Sequence, residues 1–469
     1  MKKIFILLVS LFMFFSCGQN ETNNEKTSKL SQEEVIKIAR EAYVYALPLV
    51  IMDLTKKQST NFYPGNRIYA PVNVFNHSSQ FPDASFRSVV RPNADTYYST
   101  AMLDLTDEPV VLSLPDTKGR YYMMPMLDAY TNVFASPGTR TTGDKAGDYL
   151  ITGPQWKGVV PEGMKEIKAP TNLVWIIGRT QVNNKEDGRR VVVPLQNKYE
   201  LIPMSKWGKA YKIPTHGIED TTIPKGDPNS VVVKMSIEDY FTHVNTLLYL
   251  DPPPAADNEA LERFASIGVG PGLKFNIMSF DDSTKSLLRN IPKEVFAGFK
   301  MEISKPKQDL INGWTVHKGL GAYGTDYAKR AFVSYMGLGA NLSEDAIYPG
   351  CAVDADGNAL NGANNYVLHF DKGKTPPANA FWSLTMYSED GYFVDNSINR
   401  YTLGDRSKLK TNADGSVDIY IQHTAPSKDK MENWLPSPKE NFNLLLRVYW
   451  PKEEMISGEW EAPAVKKAE

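Results

Sequence analysis

Two tracts of short β-type runs, held apart by a tract of helical pattern, constrain this chain more than any other feature. From about 60 to 232 the runs "VVLSL", "RYYMMPML", "DYLIT", "NLVWIIGRT" and "RRVVVPL" are broken by Gly, Pro and Asn, the composition of strands and turns. From 347 to 450 strands return, with hairpin signals at Asp356-Gly357 and Asp414-Gly415. Between them, over 235–340, the period changes. "SIEDYFTHVNTLLYL" starts with Ser236 as cap and puts Ile237, Tyr240, Phe241, Val244, Leu247 and Leu248 on one stripe. "DPPP" (251–254) ends it, Asp257 caps "NEALERFASIGV", a helical stretch covers about 281–312 with an interruption at Pro292, and "TDYAKRAFVSYMGL" starts another near Thr325. A further helix opens at Ser31, where Ser31 and Glu34 form a capping box and Val35, Ile38, Ala39, Ala42 and Ala46 recur at helical spacing; Pro48 limits its continuation.

The two β tracts look related. "YYMMPMLDAYTNVFASPGTRTTGD" (121–144) lies over "FWSLTMYSEDGYFVDNSINRYTLGD" (381–405), with Met126 on Met386, Arg140 on Arg400 and Thr142 on Thr402. Upstream, "NAD" (93–95) falls on "DAD" (354–356), Arg91 on Ala352, and Asp128 on Ser388. The fold expected is mainly β with helical additions: two β-sandwich domains related by duplication, with a helical segment between them. The boundaries read as 31–232 for the N-terminal helix plus first sandwich, 233–345 for the mostly helical connector, 346–455 for the second sandwich and 456–469 for a tail.

The first residues stand apart from the fold. "MKK" is a basic n-region and "IFILLVSLFMFF" (4–15) an apolar stretch too short to span a bilayer comfortably. Ser16-Cys17-Gly18 after it resembles a bacterial lipobox, with Phe14 where Leu is usual. That implies a signal peptide over 1–16, cleavage before Cys17, lipidation of Cys17, and a polar tether over 17–30. The address implied is the cell envelope, on a bacterial membrane, with the outer membrane facing periplasm or surface as the first choice. An ordinary signal peptide that contains a Cys is the alternative. With Cys17 lipidated only Cys351 remains, so no intramolecular disulfide forms, and Cys351 reads as packing. Lys plus Arg is 52 against 54 for Asp plus Glu, which gives no electrostatic case for a nucleic-acid partner.

Longer motifs carry a family resemblance. "RPNADTYYS", "LPDTKGRYYMMPMLDAYTNVF" and "GTRTTGD" resemble domain of unknown function 1254. "YGTDYAKRA", "GLGANLSEDAIY", "DADGNALNGANNYVLHF", "PPANAFWSLTMY", "DGYFVDNSINRY" and "NWLPSPKENFNLLLRVYWP" resemble domain of unknown function 1214. The resemblance implies two jelly-roll-like domains and brings a link to carbohydrate metabolism, but no catalytic motif.

The signatures of known chemistry are few. There is no G-x-S-x-G elbow, and the six His residues form no H-E-x-x-H, so no metal or other cofactor is implied. "GLGAYG" (319–324) satisfies a dinucleotide pattern, with Asp345 near ribose-acid spacing, but no apolar parallel strand leads into it. "DADGNALNG" (354–362) has a hint of calcium-loop spacing and reads as a hairpin turn. Asp326 and Arg330 stand at i,i+4 and read as a helix-surface ion pair.

The strongest candidate is "RPNADTYYSTAMLDL" (91–105). If it is extended, Arg91, Asn93, Asp95 and Tyr97 share one face, which turns apolar further along. Asp128, among Met and Tyr residues, is a carboxylate with a raised pKa suited to acid–base work, and could pair with Asp95 across a scissile bond. The competing reading ties the same polar groups to backbone and ion pairs. Three functions follow. The first is a lipid-anchored module holding a small polar ligand, a carbohydrate among the candidates, with Arg91, Asn93, Tyr97, Tyr130 and Arg140 as ligand-binding residues. The second is a hydrolase with Asp128 and Asp95 as its catalytic pair. The third is a structural envelope lipoprotein with no small ligand. Homo-oligomerisation stays open in all three.

Overall fold

The computed structural model describes residues 30–66, 68–305 and 309–468. The expected signal peptide, Cys17 and the expected tether through residue 29 lie outside the described residues. Among those described, no helix is long and apolar enough to cross a membrane.

The protein is mainly β, with four sheets in two β-rich regions plus helices. In the first region Leu173–Gln181 is the central strand of a six-stranded sheet. Thr96–Asp104 pairs along one side of it, and Tyr122–Met123 and Met126–Leu127 along the other. A four-stranded sheet, with Val110–Leu114 and Gly147–Thr152 at its centre, faces it. The apolar layer between them is built from alternate residues: Ala101, Leu103, Val174 and Ile176 from one sheet, Val110, Leu112 and Ile151 from the other.

The second region repeats the plan. Phe442–Pro451 is the central strand, paired with Ala378–Ser388 on one side and with Ala346–Ile347 and Gly350–Cys351 on the other. Its partner sheet centres on Tyr366–Phe370 and Val417–Gln422, and Leu384, Leu446, Leu368 and Ile419 fill the space between. The expected tail is part of this sheet. Val465–Lys467 pairs with Tyr366–Leu368, because Val465 is one more fully buried apolar side chain in that core.

The helical residues do not merely connect the two regions. Gln32–Thr60, Ile237–Leu250, Asp282–Ser304 and Tyr327–Gly337 share one core with Met102, Leu127, Leu173 and Ile177, on the outer face of the first six-stranded sheet. The capping box at Ser31 and the cap at Ser236 form as expected, and Asp326 caps Tyr327–Gly337. Three expectations fail. Asp257 makes no side-chain capping bond to Asn258–Ala265, because its carboxylate accepts from the Tyr45 and Tyr327 hydroxyls at 2.8 Å each. The first helix runs through Pro48 to Thr60, and Asp282–Ser304 runs through Pro292. Every residue from Ala46 to Leu54 is buried, so packing on all sides outweighs a proline penalty of about 3 kcal/mol.

Candidate functional site

At the opposite end from the helices, the outer face of the first six-stranded sheet is covered by the outer face of the second. Tyr121 and Met123 meet Ala346, Phe381 and Tyr449 there. Tyr121 and Phe381, which coincide in the sequence repeat, stand edge to face with ring centroids 5.7 Å apart.

The same face brings together two arginines from equivalent positions. Met123 pairs with Arg179, and Ser383, its counterpart in the repeat, pairs with Arg447. Each arginine has a tyrosine beside it on the neighbouring strand. Tyr98 stands opposite Arg179, and Tyr348 follows directly on Ala346 and Ile347, which stand opposite Tyr449 and Val448. Each region therefore contributes one Tyr–Arg pair to the junction. Arg179 and Arg447 are only 6% and 4% exposed, while Tyr98 and Tyr348 are half-buried.

Neither arginine has a carboxylate partner among the described residues. Arg179 Nη1 donates to Asn341 Oδ1 (2.8 Å) and Ile177 O (3.1 Å), Nε reaches the Tyr98 hydroxyl at 3.4 Å, and the guanidinium lies 5.0 Å from the Tyr98 ring centroid. Arg447 Nη1 donates to Thr385 Oγ1 (2.8 Å), and Nη2 to the Tyr387 hydroxyl (2.6 Å) and to the carbonyls of Arg91 (3.0 Å) and Pro92 (3.4 Å). Asn93 Nδ2 donates to the Tyr449 hydroxyl at 2.7 Å and reaches that of Tyr98 at 3.4 Å, and Asn341 Nδ2 donates to that of Tyr348 at 2.8 Å. Burial pushes the Tyr98 phenol up, but Arg179 against it, with Asn93 and Arg447, brings it below its ordinary value. Burial holds Tyr348 up, and Tyr449 well up.

A glycine places Asn341. Gly339 has φ +92°, and a Cβ there would stand 2.5 Å from Ile177 Cδ1, so the chain approaches the first sheet closely just before Asn341. The "GLGAYG" segment has a similar steric reason: a Cβ on Gly321 (φ +80°) would stand 2.8 Å from the Asn341 backbone, and Gly321 O accepts from Val133 N at 2.6 Å. Asp345 is held by Arg140 at 2.8 Å.

The residues singled out in the sequence are dispersed around this site. The segment 91–95 is a turn, and the strand starts at Thr96. Arg91 has φ 53°, a left-handed backbone held by the second region through Arg91 N to Gly391 O (2.7 Å) and Arg447 to Arg91 O. Side-chain alternation therefore does not extend back to Arg91. Tyr97 points the other way from Tyr98, against Phe81, Val182 and Val192, and a Cβ on Gly188 would stand 2.4 Å from its hydroxyl. Asn93 is at the site. Asp95 is fully buried and engaged by Ser383 (2.6 Å) and Arg406. Tyr130 lies in the helical layer and donates to Asp251 O at 2.8 Å. Arg140 joins the regions at Asp345 rather than at Arg179 or Arg447.

The acid–base pair does not assemble. Thr96 stands opposite Gln181 and Leu127 opposite Trp175, so Asp95 and Asp128 are separated by at least the span from Trp175 to Gln181 on one strand. That span is about 20 Å at ~3.3 Å per residue, against roughly 5–10 Å between glycosidase carboxylates. Asp128 is a turn residue. Its Oδ1 accepts from Tyr130 N (2.9 Å) and Asn132 N (2.8 Å), as Ser388 Oγ accepts from Tyr392 N (3.1 Å) in the second region. Both turns also close with the same backbone bond, Asp128 N to Asn132 O and Ser388 N to Tyr392 O, each 2.9 Å. Burial raises the Asp128 carboxyl to about 6, but the group is stapling a turn. The expected match of "NAD" to "DAD" also fails. Asp354 accepts from Asp356 N and Asn358 N in a turn beyond the Gly350–Cys351 strand, and the register counterpart of Tyr98 is Tyr348.

Arg330 corrects another expectation. It is 1% exposed, with its guanidinium 5.0, 5.3 and 5.1 Å from the rings of Tyr45, Tyr130 and Tyr327, while Asp326 caps its helix. Among the described residues no group of three or more His, Cys, Asp or Glu could hold a metal ion.

These features define a class: a protein of two β regions, built on one plan and joined through paired Tyr–Arg strands, with helices on the first. Residues 72–203 match the family described as protein of unknown function (DUF1254), and residues 345–453 the one described as protein of unknown function (DUF1214). The chain carries both, the first in its N-terminal half and the second in its C-terminal half. Among solved structures it is similar to the VPA0106 protein from Vibrio parahaemolyticus, at 25% identity and a TM-score of 0.69, over 93% of this chain and 100% of that one. An uncharacterized protein from Burkholderia cenocepacia aligns at 10% identity and a TM-score of 0.42, over 93% of this chain and 94% of that one. No curated protein matches.

Proposed function

We propose that this chain is a lipid-anchored protein of the bacterial cell envelope that binds a small polar ligand between its two β regions, at the Tyr98–Arg179 and Tyr348–Arg447 pairs. One observation supports the reading above the rest: two guanidiniums from equivalent strands are buried among phenols and amides, and among the described residues neither makes a salt bridge to a carboxylate. Burying a charge is costly unless it is paired, so a fold that holds two such cations at one junction gains from a ligand that completes them. Carbohydrates belong in the first set of ligands to try, because hydroxyl pairs match planar guanidinium donors.

A purely architectural role has its own support, since Arg447 clamps the backbone of Arg91 and Pro92, and Asn93 reaches Tyr449. The experiment separates the two. The full chain is dialysed against a metabolite mixture and retained compounds are identified by mass spectrometry, with the Arg179→Gln variant alongside. Retention by the parent and loss in the folded variant supports binding. No retention by either supports the architectural weld.

A further inference from the structure

The hydrogen bonds of the junction have a common direction. Asn93 and Asn341 turn their NH2 groups towards phenol oxygens, and both guanidiniums are donors only. The carboxylates nearby are already engaged: Asp95 by Arg406 and Ser383, Asp345 by Arg140. Among the described residues, Arg179 Nη2 and Arg447 Nε donate to no protein atom. The site is therefore rich in donors and carries excess positive charge.

Tyr98 sits in the middle of this. Its oxygen receives Asn93 Nδ2 and Arg179 Nε, and its own proton has no acceptor among the described residues. Donors converging on a phenol oxygen, with cations beside it, are the surroundings of a phenolate. The charged and titratable groups around it come from every neighbouring element. Arg179 is on the paired strand, Arg447 and Tyr449 are on the central strand of the second region, Tyr348 is on its edge, and Asp95 precedes Tyr98 on its own segment.

We propose that the ligand of this site is a small oxyanion, a carboxylate or a phosphate, and that its entry is coupled to uptake of one proton by Tyr98. The proposal rests on the ligand-binding reading above and names the ligand's charge and its regulation. Where Tyr98 is ionised in the empty site, its phenolate is the counter-charge to Arg179 and Arg447. An arriving oxyanion takes over their donors, their pull on Tyr98 weakens, and the phenolate takes a proton from a buffer acid, whose conjugate base stays in solution, to become the neutral phenol. No other bond changes. Linkage makes the effect reciprocal: raising the pH favours the phenolate and expels the anion.

The test uses the full chain, with acetate and inorganic phosphate as probes and neutral mono- and disaccharides as the contrast. Calorimetric titrations at pH 9, in two buffers of different ionisation enthalpy, count the protons exchanged, and absorbance at 295 nm reports tyrosinate. We expect one of the anions to bind with uptake of up to one proton and a fall at 295 nm. Its affinity in the parent should drop by about tenfold per pH unit once Tyr98 is ionised. Tyr98→Phe, which keeps the ring, should bind the anion with no proton uptake and a flat pH profile. Anion binding without proton exchange, or uptake that persists in Tyr98→Phe, overturns the coupling. Saccharides binding where neither anion does overturns the oxyanion class and leaves the ligand-binding reading standing. No binding by either class sinks both.

Discussion

Asp128→Asn tests whether Asp128 is a strained turn carboxylate rather than a catalytic acid. In the folded protein burial raises this carboxyl from its ordinary 3.8 to about 6, against the hydrogen bonds from Asn132 and Tyr130 that favour its charged form. A folded pKa above the unfolded one means that the native state holds the proton more tightly. The resulting stabilisation is full below the unfolded pKa and is lost as pH rises through about 6. Across that window the loss approaches ~3 kcal/mol, at about 1.36 kcal/mol per pH unit. Asparagine does not titrate, and its Oδ1 keeps the two backbone bonds to residues 130 and 132. Any bond lost at the other atom costs the same at every pH and cancels when the difference between variant and parent is followed against pH. Urea unfolding of both proteins between pH 4 and 7.5 should therefore show the variant gaining on the parent by roughly 2–3 kcal/mol as pH rises. A difference that stays flat would refute the raised carboxyl and the turn argument built on it.

Three other outcomes follow from the geometry. Asp95→Ala removes the partner of Arg406 and Ser383 from a fully buried position, and should cost about 3–5 kcal/mol by chemical denaturation; a loss under about 1 kcal/mol would contradict that engagement. Gly339→Ala forces a Cβ to 2.5 Å from Ile177 Cδ1 at φ +92°, and should lower stability by about 1–3 kcal/mol and displace Asn341 from Arg179. Cys17→Ser should move the protein from the membrane fraction to the soluble one; unchanged fractionation would refute the lipid anchor.

The sequence made the layers legible and left the junction hidden. Strand tracts broken by Gly and Pro, the Ser31–Glu34 box and the repeat of 121–144 over 381–405 are local patterns, and each corresponds to a local element or register. The face of "RPNADTYYS" is not local. Arg91 adopts φ 53° because Gly391 and Arg447 from the second region hold it there, so the alternation starts at Thr96 and places Tyr98, rather than Tyr97, at the junction. Pro48 and Pro292 look like limits in the sequence because propensity is visible there and packing is not. One signal for the site was available. "LVWIIGRTQ" and "NLLLRVYW" each set one arginine inside an apolar central strand, where a charge needs a reason. Their equivalence emerges only from the pairing of Met123 with Arg179 and Ser383 with Arg447.

The central claim is that both Tyr–Arg pairs face one ligand. It is tested most directly by following the Nε–Hε nuclear resonances of Arg179 and Arg447 while the compound best retained in the metabolite screen is titrated in. The account predicts that both resonances move together with one dissociation constant, while that of Arg400, which donates to Met431 O and Trp434 O in the second region, stays still. Saturable binding that leaves Arg179 and Arg447 unmoved, or moves only one of them, would contradict it.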